Sequence, residues 1–220
     1  MNDNGIFRPA AAIFDMDGLL LDTEKPAIPL WTRAGESFGW KISPQLVIRT
    51  LGLNGAKTRA IFFEELGPEL PYDRIKEEFS RLYDEEFEKG IALKRGLIVL
   101  LEHLAARNIP AAVATSTRVS GTRWKLGKAG ILDRFTALAC GDEVVNGKPA
   151  PDIFLLAAER LGKKPSECAG FEDSPAGLEG LYAAGIPSVF IKDMAQPSLE
   201  ILSTVWRSYK DLEEAVELFE

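Results

Sequence analysis

From Gly96 to Ile191 the chain alternates helical and strand-like segments joined by only a few residues, and this rhythm restricts the possible folds more than any other feature. Gly96 to Arg107 carries apolar residues at helical spacing, and Ile109 to Ala114 is a short apolar run. Ser120 to Ala129 reads as helix ending at Gly130, Ala137 to Cys140 as strand, Pro151 to Leu161 as helix and Cys168 to Phe171 as strand. Ser174 to Ala184 is helical up to Gly185, and Ser188 to Ile191 closes the series. Strands that repeat between helices must run parallel, because each crossover brings the chain back to the same end of the sheet. The sequence therefore predicts an α/β fold: a Rossmann-like doubly wound parallel sheet with helices on both faces. The earlier run Ala10 to Phe14 belongs to the same sheet.

Between Thr23 and Leu93 the rhythm stops. Leu46 to Leu51, Thr58 to Leu66 and Tyr72 to Glu88 read as helix, separated by Gly52-Leu53-Asn54-Gly55 and Gly67-Pro68. The segment is rich in Glu, Lys and Phe and has no β-branched run. It predicts an inserted all-helical domain over residues 23–90, with the core built from 1–22 and 91–220. Pro26 and Pro29 lie near the start of the first inserted helix, and Pro29 would break or kink that helix if it lay inside it.

A net charge of -7 and a pI near 5.0 argue against nucleic acid or an anionic membrane as partner, since both recruit clustered Lys and Arg. A negatively charged small molecule remains compatible if local cations offset its charge. The 46% apolar content supports one sizeable core, or a core with a small second domain. Cys140 and Cys168 each sit in an apolar run and are expected as free buried thiols. No basic-then-apolar leader and no run of membrane-spanning length is evident, so a cytoplasmic monomer or weak dimer is expected.

Four short stretches carry chemistry. The strand from Ala10 to Phe14 stops at Asp15-Met16-Asp17-Gly18. Alternate side chains of an extended chain share a face, so Asp15 and Asp17 project together while Met16 points away. The pair suits a divalent cation, or a nucleophile beside an acid/base; it is equally an acidic turn closing a strand. Ala112-Val113-Ala114-Thr115-Ser116-Thr117 is a strand ending in hydroxyls before a helix, either N-caps or an anion site built from free N–H groups. In Asn146-Gly147-Lys148-Pro149-Ala150-Pro151-Asp152 two prolines stiffen the loop, so Lys148 is either solvated or aimed. In Gly170-Phe171-Glu172-Asp173-Ser174-Pro175-Ala176-Gly177, Ser174-Pro175 starts a helix, and Asp173 is either a helix-end acid or a hard oxygen ligand. All four fall at the carboxyl ends of predicted strands, the edge where open parallel sheets bind ligands.

Taken together these stretches resemble the haloacid dehalogenase-like hydrolases, in their phosphatase and phosphomutase branch. The resemblance covers the whole chain except the helical insertion, where position and helical character alone match. It implies that the insertion caps the active site and that Asp15 is a nucleophile forming an aspartyl-phosphate. Asp17 would be the acid/base, protonating the leaving oxygen and then taking a proton from water. Thr115, the Ser116 amide and Lys148 would bind and neutralise the phosphoryl group. Mg²⁺ would be held by Asp15, the Asp17 carbonyl and Asp173, with Glu172 coordinating directly or through water. The implied function is Mg²⁺-dependent hydrolysis of a small phosphorylated metabolite, such as a sugar phosphate or a phosphoglycolate-like ester. In the cap, Asn54 and Lys57 are the expected substrate contacts.

Two other functions compete. A β-phosphoglucomutase-like sugar-phosphate mutase shares the four motifs, but the mutases carry a histidine in the first cap helix and an arginine in the cap loop. Those positions fall near Ala27 and Gly55 here, and the one histidine, His103, lies elsewhere. A non-catalytic phosphometabolite-binding protein would not need an acid poised beside a nucleophile. The hydrolase is the expectation.

Overall fold

The computed structural model describes residues 7–53 and 55–220. Its centre is a parallel sheet formed by β1 (Ala11–Phe14), β2 (Ala111–Thr115), β3 (Ala137–Cys140), β4 (Cys168–Glu172), β5 (Ser188–Ile191) and β6 (Arg207–Tyr209), in the order β3-β2-β1-β4-β5-β6. The order reverses beside β1, whose Ile13 is paired with Ala112 of β2 and Gly170 of β4. A crevice opens at such a reversal, outside the carboxyl ends of the strands.

Four helices are inserted after β1: α1 (Glu24–Glu36), α2 (Pro44–Ile48), α3 (Gly55–Leu66) and α4 (Tyr72–Glu86). The remaining helices cover the sheet: α5 (Leu97–Ala106), α6 (Val119–Lys128), α7 (Asp152–Arg160), α8 (Pro175–Ala183) and α9 (Leu199–Leu202). Strand β1 is buried on both faces, which is why it reads as a continuous apolar run. Ala12 and Phe14 pack with Leu97, Leu100, Leu104 and Phe219 on one side. Ala11 and Ile13 pack with Ile153, Phe154 and Leu181 of α7 and α8 on the other. On β4, a Cβ at Gly170 would lie 2.2 Å from Leu181 Cδ2, so glycine sets how closely α8 approaches the sheet.

The insertion has its own core, with Trp31 stacked on Phe79 at 4.2 Å and packed with Phe62 and Ile75. Leu82 of α4 closes it. The polypeptide leaves and re-enters the sheet domain through adjacent segments: Asp22 N–H donates to Ala92 O (2.9 Å), and Lys94 N–H to Leu20 O (2.9 Å).

Sequence and structure differ locally. Helix α1 runs on through Pro29, although proline there removes a backbone donor. The second inserted helix starts at Pro44 rather than Leu46, because Ser43 caps it by accepting from Leu46 N–H at 3.2 Å. Strand β6 had no apolar signature: Arg207 and Ser208 are exposed at the edge of the sheet. Both cysteines are free and buried, as expected. Among the described residues no helix is long and apolar enough to cross a membrane.

Candidate active site

Asp15 follows β1 directly, and its N–H donates to Phe171 O at 3.0 Å, fixing it at the edge of the sheet. Met16 turns into the core and is fully buried, whereas Asp15 and Asp17 line one cavity of about 420 Å³ between sheet and insertion. The alternation read from the sequence is thus realised. Gly18 takes φ +90°, and a Cβ there would lie 2.5 Å from Asp173 Oδ2, so only glycine lets this turn rest against Asp173.

Lys148 is aimed, not solvated. It is almost completely buried, and its Nζ lies 2.5 Å from Asp15 Oδ1, 2.6 Å from Glu172 Oε1 and 4.8 Å from the centre of the Phe154 ring. Thr115 ends β2 and lines the cavity; its Oγ accepts from Thr117 N–H (3.1 Å), leaving its own hydrogen available to a ligand. None of the three hydroxyls caps α6. That task falls to Asp142, whose Oδ1 accepts from Val119 N–H at 2.9 Å. Ser116 also lines the cavity.

Glu172, expected to coordinate the metal directly or through water, carries hydrogen bonds on both oxygens. Its Oε1 receives Lys148, and its Oε2 accepts from Asp173 N–H (3.0 Å), Ser174 N–H (2.9 Å) and Ser174 Oγ–H (2.9 Å). This fully buried carboxylate seats the lysine and anchors the start of α8. Gly177 makes room for it, since a Cβ there would lie 1.8 Å from Glu172 Oε1.

Asp17 is held by groups that the motifs did not announce. Lys125 Nζ (2.6 Å) and Thr23 Oγ–H (2.8 Å) meet its Oδ1, and Thr117 Oγ–H (2.9 Å) meets its Oδ2. Lys125 also lies 5.3 Å from the centre of the Tyr83 ring on α4, so it touches sheet domain and insertion at once. Lys125 is spaced one turn from Gly121 on the cavity-facing side of α6, and nothing in its local sequence distinguishes it from a surface lysine.

The loop joining α2 and α3 does lie over the site: Gly52, Leu53 and Gly55 line the cavity. A Cβ at Gly52 would come within 2.9 Å of Ser174 Cβ. Asn54 falls outside the described residues. Lys57 reaches the sheet domain, donating from Nζ to the Lys148 carbonyl at 2.9 Å.

Burial dominates the electrostatics. It pushes Asp15 up to about 7 against the opposing pull of Lys148, with Glu172 and Asp17 adding to the rise. Burial also acts on Asp17, but Lys125 and the two threonine hydroxyls outweigh it and hold that carboxyl below its ordinary value. Glu24 is pushed up to about 9 by burial and by the charges of Asp17 and Asp15, and Asp173 is raised well above its usual range by burial, Glu172 and Glu24. Glu24, Asp173 and Asp193 offer carboxylate oxygens that all lie within 4.8 Å of one another. An oxygen-only set, buried at Glu24 and Asp173, fits a hard divalent cation such as Mg²⁺ and not zinc.

A pH dependence follows. An acid raised in the fold stays protonated there while the unfolded chain already ionises. Its stabilising contribution is therefore complete below the ordinary value of 4.5 and is lost as pH rises towards about 9. In chelator, the melting temperature should fall across that window, and Mg²⁺ should flatten the slope. A melting temperature that climbs steadily across the window in chelator would contradict the assignment.

Residues 9–185 match the haloacid dehalogenase-like hydrolase family. The chain belongs to that family. A phosphorylated carbohydrates phosphatase of Thermotoga maritima is 33% identical over 184 residues, covering 82% of this chain and 83% of the relative. A probable pseudouridine-5′-phosphatase of Drosophila melanogaster is 36% identical over 187 residues, covering 82% and 80%. The crystal structure of β-phosphoglucomutase from Clostridium difficile superposes with a TM-score of 0.81 over 96% of this chain and 97% of that one, at 23% identity, and shares the fold. This haloacid dehalogenase-like chain is an enzyme of the phosphoric monoester hydrolase type, with a helical cap formed by α1 to α4.

Proposed function

We propose that the enzyme hydrolyses a small phosphorylated metabolite, a sugar phosphate or phosphoglycolate-like ester, through an aspartyl-phosphate on Asp15. The observation that carries this reading is the division of labour between two aspartates on one cavity. Among the described residues Asp15 is paired with Lys148, while Asp17 is held apart by Lys125, Thr23 and Thr117.

In the first half-reaction an Asp15 oxygen attacks phosphorus, the bond from phosphorus to the leaving oxygen breaks, and Asp17 gives that oxygen a proton. At rest Asp17 is a carboxylate; the negative charge of an arriving phosphate raises its affinity for the proton it must carry. In the second half-reaction water attacks the aspartyl-phosphate, Asp17 accepts its proton, and inorganic phosphate leaves Asp15 free. Lys148, the Thr115 hydroxyl and the Ser116 amide neutralise the phosphoryl oxygens throughout. Bound Mg²⁺, held by Asp15, the Asp17 carbonyl and Asp173, would supply further charge stabilisation at those oxygens.

The cap supports hydrolysis over phosphoryl return to a sugar. Ala27 and Gly55, near the positions where the mutases carry histidine and arginine, both line the cavity. The Thermotoga and Drosophila relatives, named for phosphatases of a phosphorylated carbohydrate and of a nucleoside 5′-phosphate, fit the same substrate range. Phosphate release across a panel of phosphometabolites tests the reading. Bisphosphate-dependent interconversion of sugar phosphates with little phosphate released would overturn it. Activity should need Mg²⁺ and vanish with chelator. Ca²⁺ should compete yet support little turnover, because its longer, looser coordination misplaces nucleophile and phosphate. Full turnover in chelator would remove the metal from the scheme.

A further inference from the structure

Pairing off the charges at the carboxyl edge of the sheet isolates one side chain that no motif contains. Lys148 stands between Asp15 and Glu172, Lys125 is paired with Asp17, and Lys94 lies 2.8 Å from Asp193. Glu24 and Asp173 remain. They are 7% and 2% exposed, and among the described residues neither carboxylate meets a hydrogen-bond donor or a cation. Both are directed at the space beside Gly18: a Cβ built there would lie 2.5 Å from Asp173 Oδ2 and 2.9 Å from Glu24 Oε2. Two neighbouring buried carboxyl groups are costly to ionise unless something positive sits between them. Other buried carboxylates of this site have a lysine; these two have each other, with oxygens within 4.8 Å.

We infer that Glu24 joins Asp173 in holding the divalent cation, in the role that the sequence suggested for Glu172. The inference rests on the metal-dependent reading of the site. Glu172 is unsuited because Lys148 and the start of α8 take both its oxygens. Glu24 is free of such ties. It is also the first residue of α1, where the chain leaves the sheet domain for the cap, next to the paired segments at Asp22 and Ala92. A cation held by Glu24 and Asp173 therefore joins the end of β4 to the cap hinge. Lys94, on the returning segment, keeps Asp193 neutralised at the margin of the same cluster.

The test is calorimetric titration of Mg²⁺ into the full chain, as wild type, Glu24→Gln and Glu24→Asp, with the melting temperature of each measured in chelator. Glu24→Gln should bind Mg²⁺ on the order of ten- to a hundredfold more weakly. In chelator it should melt no lower than wild type, since the amide keeps the size of the side chain and adds no charge. Glu24→Asp should recover part of the affinity. A purely structural acid in the first helical turn would behave in the opposite way, lowering the chelated melting temperature and leaving Mg²⁺ affinity untouched; that result overturns the inference. So does wild-type affinity in Glu24→Gln at any melting temperature. Absence of Mg²⁺ binding by the wild type would overturn both the role of Glu24 and the metal-dependent reading beneath it.

Discussion

Asp15→Asn should abolish turnover and leave the fold standing. An amide has the shape of the carboxylate but cannot form the acyl phosphate, so the two-step route closes entirely. A loss on the order of 10⁵–10⁶-fold is expected, as for removal of a nucleophile in other covalent catalysts. The fold should survive because Lys148 keeps Glu172 as its partner at 2.6 Å and the Asp15 N–H still bonds to Phe171 O. Phosphate release and a thermal melt, measured on the same sample, separate the two effects. A folded Asn variant working near the wild-type rate would remove Asp15 from the role of nucleophile.

Lys148→Met should damage both stability and activity. The lysine is 2% exposed and neutralises two buried carboxylates, Asp15 and Glu172. Removing one partner of a buried ion pair typically costs about 3–5 kcal/mol, because the charge left behind has lost both water and counter-charge. In a chain of this size that corresponds to a fall in melting temperature of roughly 6–20 °C. Methionine keeps most of the volume and the contact with Phe154, so lost packing is a minor part of the effect. The double variant Lys148→Met/Glu172→Gln should regain part of the stability and none of the activity, because it removes a stranded charge without restoring the cation. If the single variant melts like wild type, the buried triad is not the arrangement in solution.

The fold was legible wherever burial repeats with a period. β1 is buried throughout, and β3 and β5 are short, mostly apolar runs, so their signals in the sequence coincide with the strands to within a residue. β6 was invisible because an exposed edge strand of Arg-Ser-Tyr has no apolar face to reveal it. In the insertion the helices were recognisable, but α1 passes through Pro29, and Ser43-Pro44 sets the start of α2 where apolar spacing alone does not.

The site divides in the same manner. Asp15, Asp17, Thr115, Ser116, Lys148 and Asp173 stand at strand ends in compact strings, so local sequence carries them. Lys125 and Glu24 act across distance in the chain: Lys125 meets Asp17 from 108 positions away, and Glu24 and Asp173 come together against Gly18, with carboxylate oxygens within 4.8 Å. Nothing in their neighbours reports such contacts. Beside Asp173, Glu172 reads in the sequence as a metal ligand, direct or through water. Its partners on both oxygens, and the missing Cβ of Gly177 that makes room for it, appear only when β4, α8 and the Lys148 loop are assembled.

The covalent step on Asp15 is the central claim, and trapping the enzyme during turnover tests it most directly. Rapid acid quench with a good substrate and Mg²⁺, followed by peptide mass spectrometry, should place one phosphoryl group on the peptide containing Asp15, at Asp15 itself. The group should be absent without substrate and absent from Asp15→Asn. A phosphoryl group found on any other residue of the active wild-type enzyme would contradict the mechanism.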